Sequence, residues 1–174
     1  CDHYGLKEVS SYWQEVLNIN EWQQRRISNT ILDTLFGTVS DKIITILGLA
    51  FKANTNDTRE SPSIKICNDL LEEGAILNIY DPKVKEIDIS KNLVKTSKSD
   101  SYNIFNESLN ACKDSHAIVI LTEWEEFKYL DWAKISKIMN QPSWIFDCRN
   151  TINSKEANAA GINTWCIGSG KFEV

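Results

Sequence analysis

An α/β fold, with a mostly parallel sheet, helices on both faces and a long helix ahead of it, is what this sequence predicts. Three observations carry that expectation. Residues 43–51 (IITILGLAF) are an unbroken apolar run, which suits a strand covered on both faces rather than one. Downstream, short apolar runs alternate with helical segments, the pattern of βαβ crossovers and parallel strands. Upstream, residues 8–36 hold a single amphipathic period, with Val9, Trp13, Val16, Leu17, Asn20, Gln24, Ile27, Ile31 and Leu35 at steps of three and four.

Each element follows in order. The first helix runs to a stop at Gly37, and its centre (NEWQQRR) is polar on most sides. A helix this long with apolar stripes at its ends is expected to pack against more than its own small domain. The strand 43–51 leads through a polar loop to a helix opened by Pro62, whose missing N–H is not needed in a first turn. Ser61 is the expected N-cap and Gly74 the stop. ILNIYDP (76–82) is the second strand. The following stretch reads as loop, with LVKTS (93–97) as a short third strand. A helix over 106–114, a buried strand at 117–122, a helix over 124–139, a strand at 144–148, a helix over 153–160 ended by Gly161 and a strand at 162–168 complete the chain.

Composition narrows the function. With 174 residues, 42% hydrophobic and 25% charged, the chain has the makeup of one globular domain with a substantial core. No apolar run approaches the ~20 residues of a membrane span, and no segment has the makeup of a signal peptide. The chain opens on Cys1, not Met, so a fragment or processed product is expected. A net charge of −5 argues against a general nucleic-acid binder. Five widely spaced cysteines (1, 67, 112, 148, 166), no CxxC and only His3 and His116 argue against a disulfide framework or a metal site, and for a reducing cytoplasm.

Ligands of such sheets bind outside the carboxyl ends of the strands. Lys52, the pair Thr122–Glu123, and Asp147 to Asn150 fall at those ends, with Arg59 at a helix entrance. A strand-to-helix turn offers free N–H groups and a positive dipole end, and Arg59 adds a planar fork suited to phosphate. Yet GLAFKANTNDTRES holds one glycine, Gly48, where a dinucleotide fingerprint needs three. Asp81 lies 33 positions after Gly48 against the usual ~20 for a ribose-binding acid, and Pro82 suggests a turn instead. Lys52 reads as a solvated loop lysine or a site residue, and Arg59 as a site residue or a partner of Asp57 or Glu60. Cys1, Asp2 and His3 resemble a nucleophile beside a base, but sit at a terminus where order is doubtful. Cys67, Cys112 and Cys166 read as small core residues, while Cys148 has two readings, a thiolate favoured by the neighbouring Arg149 or a packing residue at a strand end. Glu123, Glu125 and Glu126 read as a solvated face. No catalytic acid/base pair or triad assembles.

Together these residues resemble the C-terminal domain of the UDP-glucose/GDP-mannose dehydrogenase family. GLAFKANTNDTRESPS, IYDPKV, TEWEEFKYLD (122–131) and FDCRN (146–150) carry the resemblance, in the family's order. The segment 122–131 is most similar to the UDP-glucose 6-dehydrogenases. These oxidise the C6 alcohol of UDP-glucose to the carboxylate of UDP-glucuronate in two NAD-dependent steps, through a cysteine adduct. The resemblance implies a linker and dimerisation helix at 1–37 and a Rossmann-like UDP-sugar-binding domain at 38–174, in a cytoplasmic homodimer. It implies that Phe51, Lys52 and Arg149 contact substrate and that Arg59 reaches an NAD held mainly by another domain. Cys148 stands where the family has glycine, which questions the backbone geometry there. The family's catalytic cysteine would precede residue 1, so the chain alone is expected to be inactive. Two alternatives remain: a sister dehydrogenase of the UDP-N-acetylmannosamine type, or a non-catalytic nucleotide-binding or assembly module.

Overall fold

The computed structural model describes residues 1–94, 101–169 and 172–173. Its sheet has the order β3-β2-β1-β4-β5-β6-β7. The first six strands are β1 (Ile43–Leu47), β2 (Ile76–Tyr80), β3 (Tyr102–Ile104), β4 (Ala117–Ile120), β5 (Trp144–Asp147) and β6 (Asn163–Cys166). They pair in parallel, while β7 (Phe172–Glu173) lies antiparallel to β6 at the edge. Ile44 to Leu47 and all of β4 are buried, as two-sided coverage requires. The strand order reverses between β1 and β4, so their carboxyl ends flank the crevice where such folds take ligands.

Helix α1 (Lys7–Thr34) buries only Ile27, Ser28 and Ile31. Its last turns lie against α2 (Pro62–Glu72), where the Ser28 hydroxyl donates to Asp69 at 2.8 Å. The rest projects from the domain, with Trp13 and Trp22 57% and 61% exposed. At 1.5 Å per residue the helix is about 42 Å long. The expected Ser61 cap of α2 is present, its hydroxyl accepting from the Ser63 N–H.

Several expected boundaries shift. Strand β1 stops at Leu47: Gly48 makes the last ladder bond, donating to Tyr80 O, but its φ of +91° takes the chain out of the extended conformation. The expected helix 124–139 is two pieces, a 3₁₀ turn at Glu125–Tyr129 and a helix, here α5, at Trp132–Ile138. Leu130 is extended and Asp131 caps the second piece through the Lys134 N–H. The segment 106–114 shortens to one turn, α4 (Ser108–Ala111). Helix α3 (Glu86–Asn92) occupies the stretch read as loop, and its single buried residue, Ile89, gives no period to read. The third strand is at 102–104, not 93–97. Leu93 and Val94 follow α3 outside any strand, and 95–97 lie outside the described residues. Helix α6 (Ser154–Ala159) matches its expected position.

Candidate functional site at the carboxyl ends of the strands

The loop leaving β1 is pinned by carboxylates rather than by glycines. Asp81, just past β2, accepts from Leu49 N (2.7 Å), Ala50 N (3.0 Å) and Trp124 Nε1 (3.3 Å) with one oxygen. With the other it accepts from Lys83 N and Val84 N, both at 2.9 Å. Asp81 is therefore a buckle for two loops, which decides its role for the turn over the ribose. Asp147 acts alike after β5: it is fully buried and accepts from Arg149 N, Thr151 N and Ile152 N. A Cβ on Gly48 would stand 2.5 Å from Thr122 Cβ. The lone glycine thus serves packing of the β1 loop on the β4 loop, and Thr122 Oγ1 closes that contact by donating to Ala50 O at 2.7 Å.

On this frame Phe51 is 47% exposed and Lys52 is exposed, without an ion pair or hydrogen bond among the described residues. Arg149, at the end of β5, turns back across the strand ends. Its Nε donates to Leu121 O (2.8 Å) and its Nη2 to Phe51 O (3.4 Å). Glu123, read from sequence as part of a solvated face, belongs here instead. Its Oε1 accepts from Ala53 N at 3.4 Å, and its Oε2 lies 3.6 Å from Arg149 Nε, shielded from solvent with no hydrogen bond. Glu125 and Glu126 are exposed as expected, Glu125 pairing with Lys128.

Arg59 is 87% exposed and clasps Asp57 in both directions, Nε to Oδ1 at 2.9 Å and Nη2 to Oδ2 at 2.7 Å. That side-chain contact, with the Arg59 N–H donating to the same carboxylate, holds the Asp57 pKa down to about 2. Asp57 in turn raises that of Arg59.

Two adjoining clefts receive these groups. One of about 1000 Å³ is lined by Phe51, Arg59 and Lys65 together with Asn20 and Gln24 of α1. A smaller one of about 210 Å³ is lined by Arg149, Cys148 and Ser63, again with Asn20 and Gln24. Lys52 lines neither. Phe51 and Arg59 thus share the larger cleft, and Arg149, in the smaller one, is tied to Phe51 through its backbone oxygen. Sequence reasoning placed Glu123 at the strand ends but read its side chain as solvated, and it missed the α1 amides. The polar interruption of the α1 stripe at Asn20 and Gln24 was the signal for the latter.

Cys148 has no positive φ, so that backbone position does not require the family's glycine. Burial pushes its thiol pKa up, outweighing the Arg149 charge that favours the thiolate. Buried Cys67 and Cys112 are core residues as expected, the latter pushed up to about 12. Cys166 is half-buried. Cys1 and His3 are exposed at the terminal 3₁₀ turn (Asp2–Tyr4). Among the described residues there is no cluster suited to a metal ion, and no helix is long and apolar enough to cross a membrane.

Comparison with known proteins agrees with this geometry. The profile of the UDP-glucose/GDP-mannose dehydrogenase family, UDP binding domain, matches residues 45–154. A UDP-glucose 6-dehydrogenase from Drosophila melanogaster is 44% identical over 97% of this chain, which covers 37% of that protein. Among solved structures, a UDP-D-ManNAc dehydrogenase from Pyrococcus horikoshii superposes with a TM-score of 0.68 at 28% identity, over 88% of this chain and 32% of that one. A UDP-glucose dehydrogenase from Pyrobaculum islandicum gives 0.63 at 26% identity, over 83% and 29%. The chain therefore spans little more than a third of the curated relative's length.

Proposed function

We propose, from the premise that this chain belongs to the UDP-glucose/GDP-mannose dehydrogenase family, that it is the substrate-binding part of a UDP-glucose 6-dehydrogenase. The observation that carries the reading is the arginine anchored across three strand ends beside an unpaired lysine, in a family's UDP-binding domain. In this reading Lys52 meets the negative charge of the UDP-sugar, Phe51 offers an aromatic face, and Arg149 orients the sugar. Anchoring Arg149 on Leu121 O and Phe51 O fixes its guanidinium plane before ligand arrives, which lowers the ordering cost of binding.

NAD would accept the hydrides as the C6 alcohol becomes a carboxylate. The described residues fit only an outlying contact to that cofactor. Gly48 is packed on Thr122 and the Asp81 carboxylate is used up by five N–H donors. What they offer is Arg59, a solvent-facing fork suited to a phosphate. Hydride transfer and the cysteine adduct thus belong to residues outside this chain, and the chain alone is inactive. The exposed apolar residues of α1, Val9, Trp13, Val16 and Leu17 among them, are the surface for the rest of the protein or a second subunit. Cytoplasmic location belongs to the same reading.

The UDP-D-ManNAc dehydrogenase likeness favours a second reading, a sister enzyme of that substrate class. The full-length protein, given NAD and each sugar nucleotide in turn, separates the two. Two NADH formed per UDP-glucose support the first reading. Turnover of UDP-N-acetylmannosamine alone selects the second, and turnover of neither refutes both in favour of a non-catalytic module. NADH formation by this chain alone would refute its dependence on other residues.

A further inference from the structure

We infer that Glu123 is a positioning residue that sets Arg149 for the sugar, an assignment that rests on the substrate reading above. The three loops forming this end of the crevice leave β1, β4 and β5, and Glu123 touches two others from the third. From the β4 loop its Oε1 accepts from Ala53 N, next to Lys52. Its Oε2 faces Arg149 Nε at 3.6 Å, the one oxygen turned inward from a side chain that is 42% exposed. Turned in from water, that oxygen looks to a positive charge for compensation, and among the described residues the ion pair it makes is with Arg149.

The geometry divides the labour around that guanidinium. Leu121 O and Phe51 O take its N–H groups and set its reach, whereas Glu123 supplies a countercharge that neither carbonyl can. A guanidinium so balanced is suited to neutral hydroxyls, which need directional donors. A bare one favours any nearby phosphate through charge alone. Glu123 therefore reserves Arg149 for the sugar and leaves the diphosphate to Lys52. By holding Ala53 it also keeps the Phe51–Lys52 segment in register with the arginine. A group acting this way, through another side chain, changes discrimination more than stability.

The test is a double-mutant cycle in the full-length protein, with calorimetric affinities for UDP-glucose and for UDP. The readout is the ratio of the two, which a loss of general stability does not move. E123A should lower that ratio about tenfold. E123Q, which keeps an acceptor for Ala53 but drops the charge, should lower it less, with UDP binding unchanged or tighter. In the R149A background neither substitution should lower it further. Should E123A fail to fold, the comparison rests on E123Q. An unchanged ratio in the folded variants overturns the inference, and so does an equal drop persisting without Arg149. Those two outcomes leave the substrate reading intact if R149A by itself lowers the ratio. If R149A does not lower it, the substrate role of Arg149 falls, and the inference with it.

Discussion

Replacing Asp81 by asparagine tests the frame on which the whole site hangs. The carboxylate holds four backbone N–H groups and the Trp124 indole on two oxygens. Asparagine is nearly isosteric but keeps only one acceptor oxygen, so one pair of backbone donors loses its partner. If the amide oxygen stays with Leu49 and Ala50, then Lys83 and Val84 face an NH₂ group. Lys83 N is exposed and can turn to water, whereas Leu49 N, Ala50 N and Val84 N are only partly so. With Lys83 N satisfied by water, Val84 N is the stranded donor, and the loss is about 1–2 kcal/mol. For a domain of this size that is a fall in melting temperature of about 2–8 °C. Differential scanning calorimetry at neutral pH reads it directly, with Asp81→Ala expected to fall further. A melting temperature within a degree of wild type would refute the argument. It would be refuted most pointedly if UDP-sugar affinity fell at the same time, because Asp81 would then be a ligand group and not a buckle.

Three further outcomes are expected. The Asp57 carboxyl should titrate near pH 2 by NMR and return toward the usual carboxylate range in Arg59→Ala. Because its pKa is depressed on folding, whatever the pair contributes is present above the ordinary value and lost as pH falls toward 2. An unchanged midpoint in Arg59→Ala would show that Arg59 is not the cause. Cys148 should resist alkylation at pH 8 in the folded protein while exposed Cys1 reacts, since burial raises the Cys148 pKa; mass spectrometry showing equal labelling would contradict this. Lys52→Ala should weaken UDP-glucose binding to the full-length protein by roughly 1.5–3 kcal/mol, a charge-assisted contact, with no change in melting temperature because Lys52 has no partner to lose. An unchanged affinity would remove it from the site.

The fold was legible because its signals are local and repeated. Apolar runs such as 43–51 and 117–122 announce buried strands, and Ser61-Pro62 announces a helix start. What was not legible was short or held by distant partners. Helix α3 depends on one apolar anchor, Ile89, and the break before α5 depends on Asp131 capping its own helix. The positions of Lys52, Arg59, Thr122 and Arg149 at one end of the sheet followed from the alternation of strands and helices, which puts the carboxyl ends of parallel strands on one side. The roles of Asp81, Asp147 and Glu123 did not, because their partners are backbone amides in other loops. No spacing rule marks a carboxylate that will meet Ala53 from 70 positions away. Asp57 before Arg59 was readable, since a two-residue separation keeps both in one turn.

The same accounting bears on what this chain can hold by itself. At the ligand-binding end of the sheet Asp81 and Asp147 are used by backbone donors, Asp57 by Arg59, and Glu123 by Ala53 and Arg149. Of the expected substrate contacts, Lys52, the outer part of Arg149 and the face of Phe51 remain open to a sugar nucleotide. Two charge-assisted contacts at about 1.5–3 kcal/mol each and about 1 kcal/mol from an aromatic face give roughly 4–7 kcal/mol in gross terms. Association itself costs at least about 4 kcal/mol, so the net is about 0–3 kcal/mol. A millimolar complex needs about 4.1 kcal/mol. The chain alone is therefore expected to bind UDP-glucose more weakly than about millimolar, which a chemical-shift titration can measure. Saturation at micromolar ligand would refute this, and would mean that the clefts beside Asn20 and Gln24 already form a complete pocket.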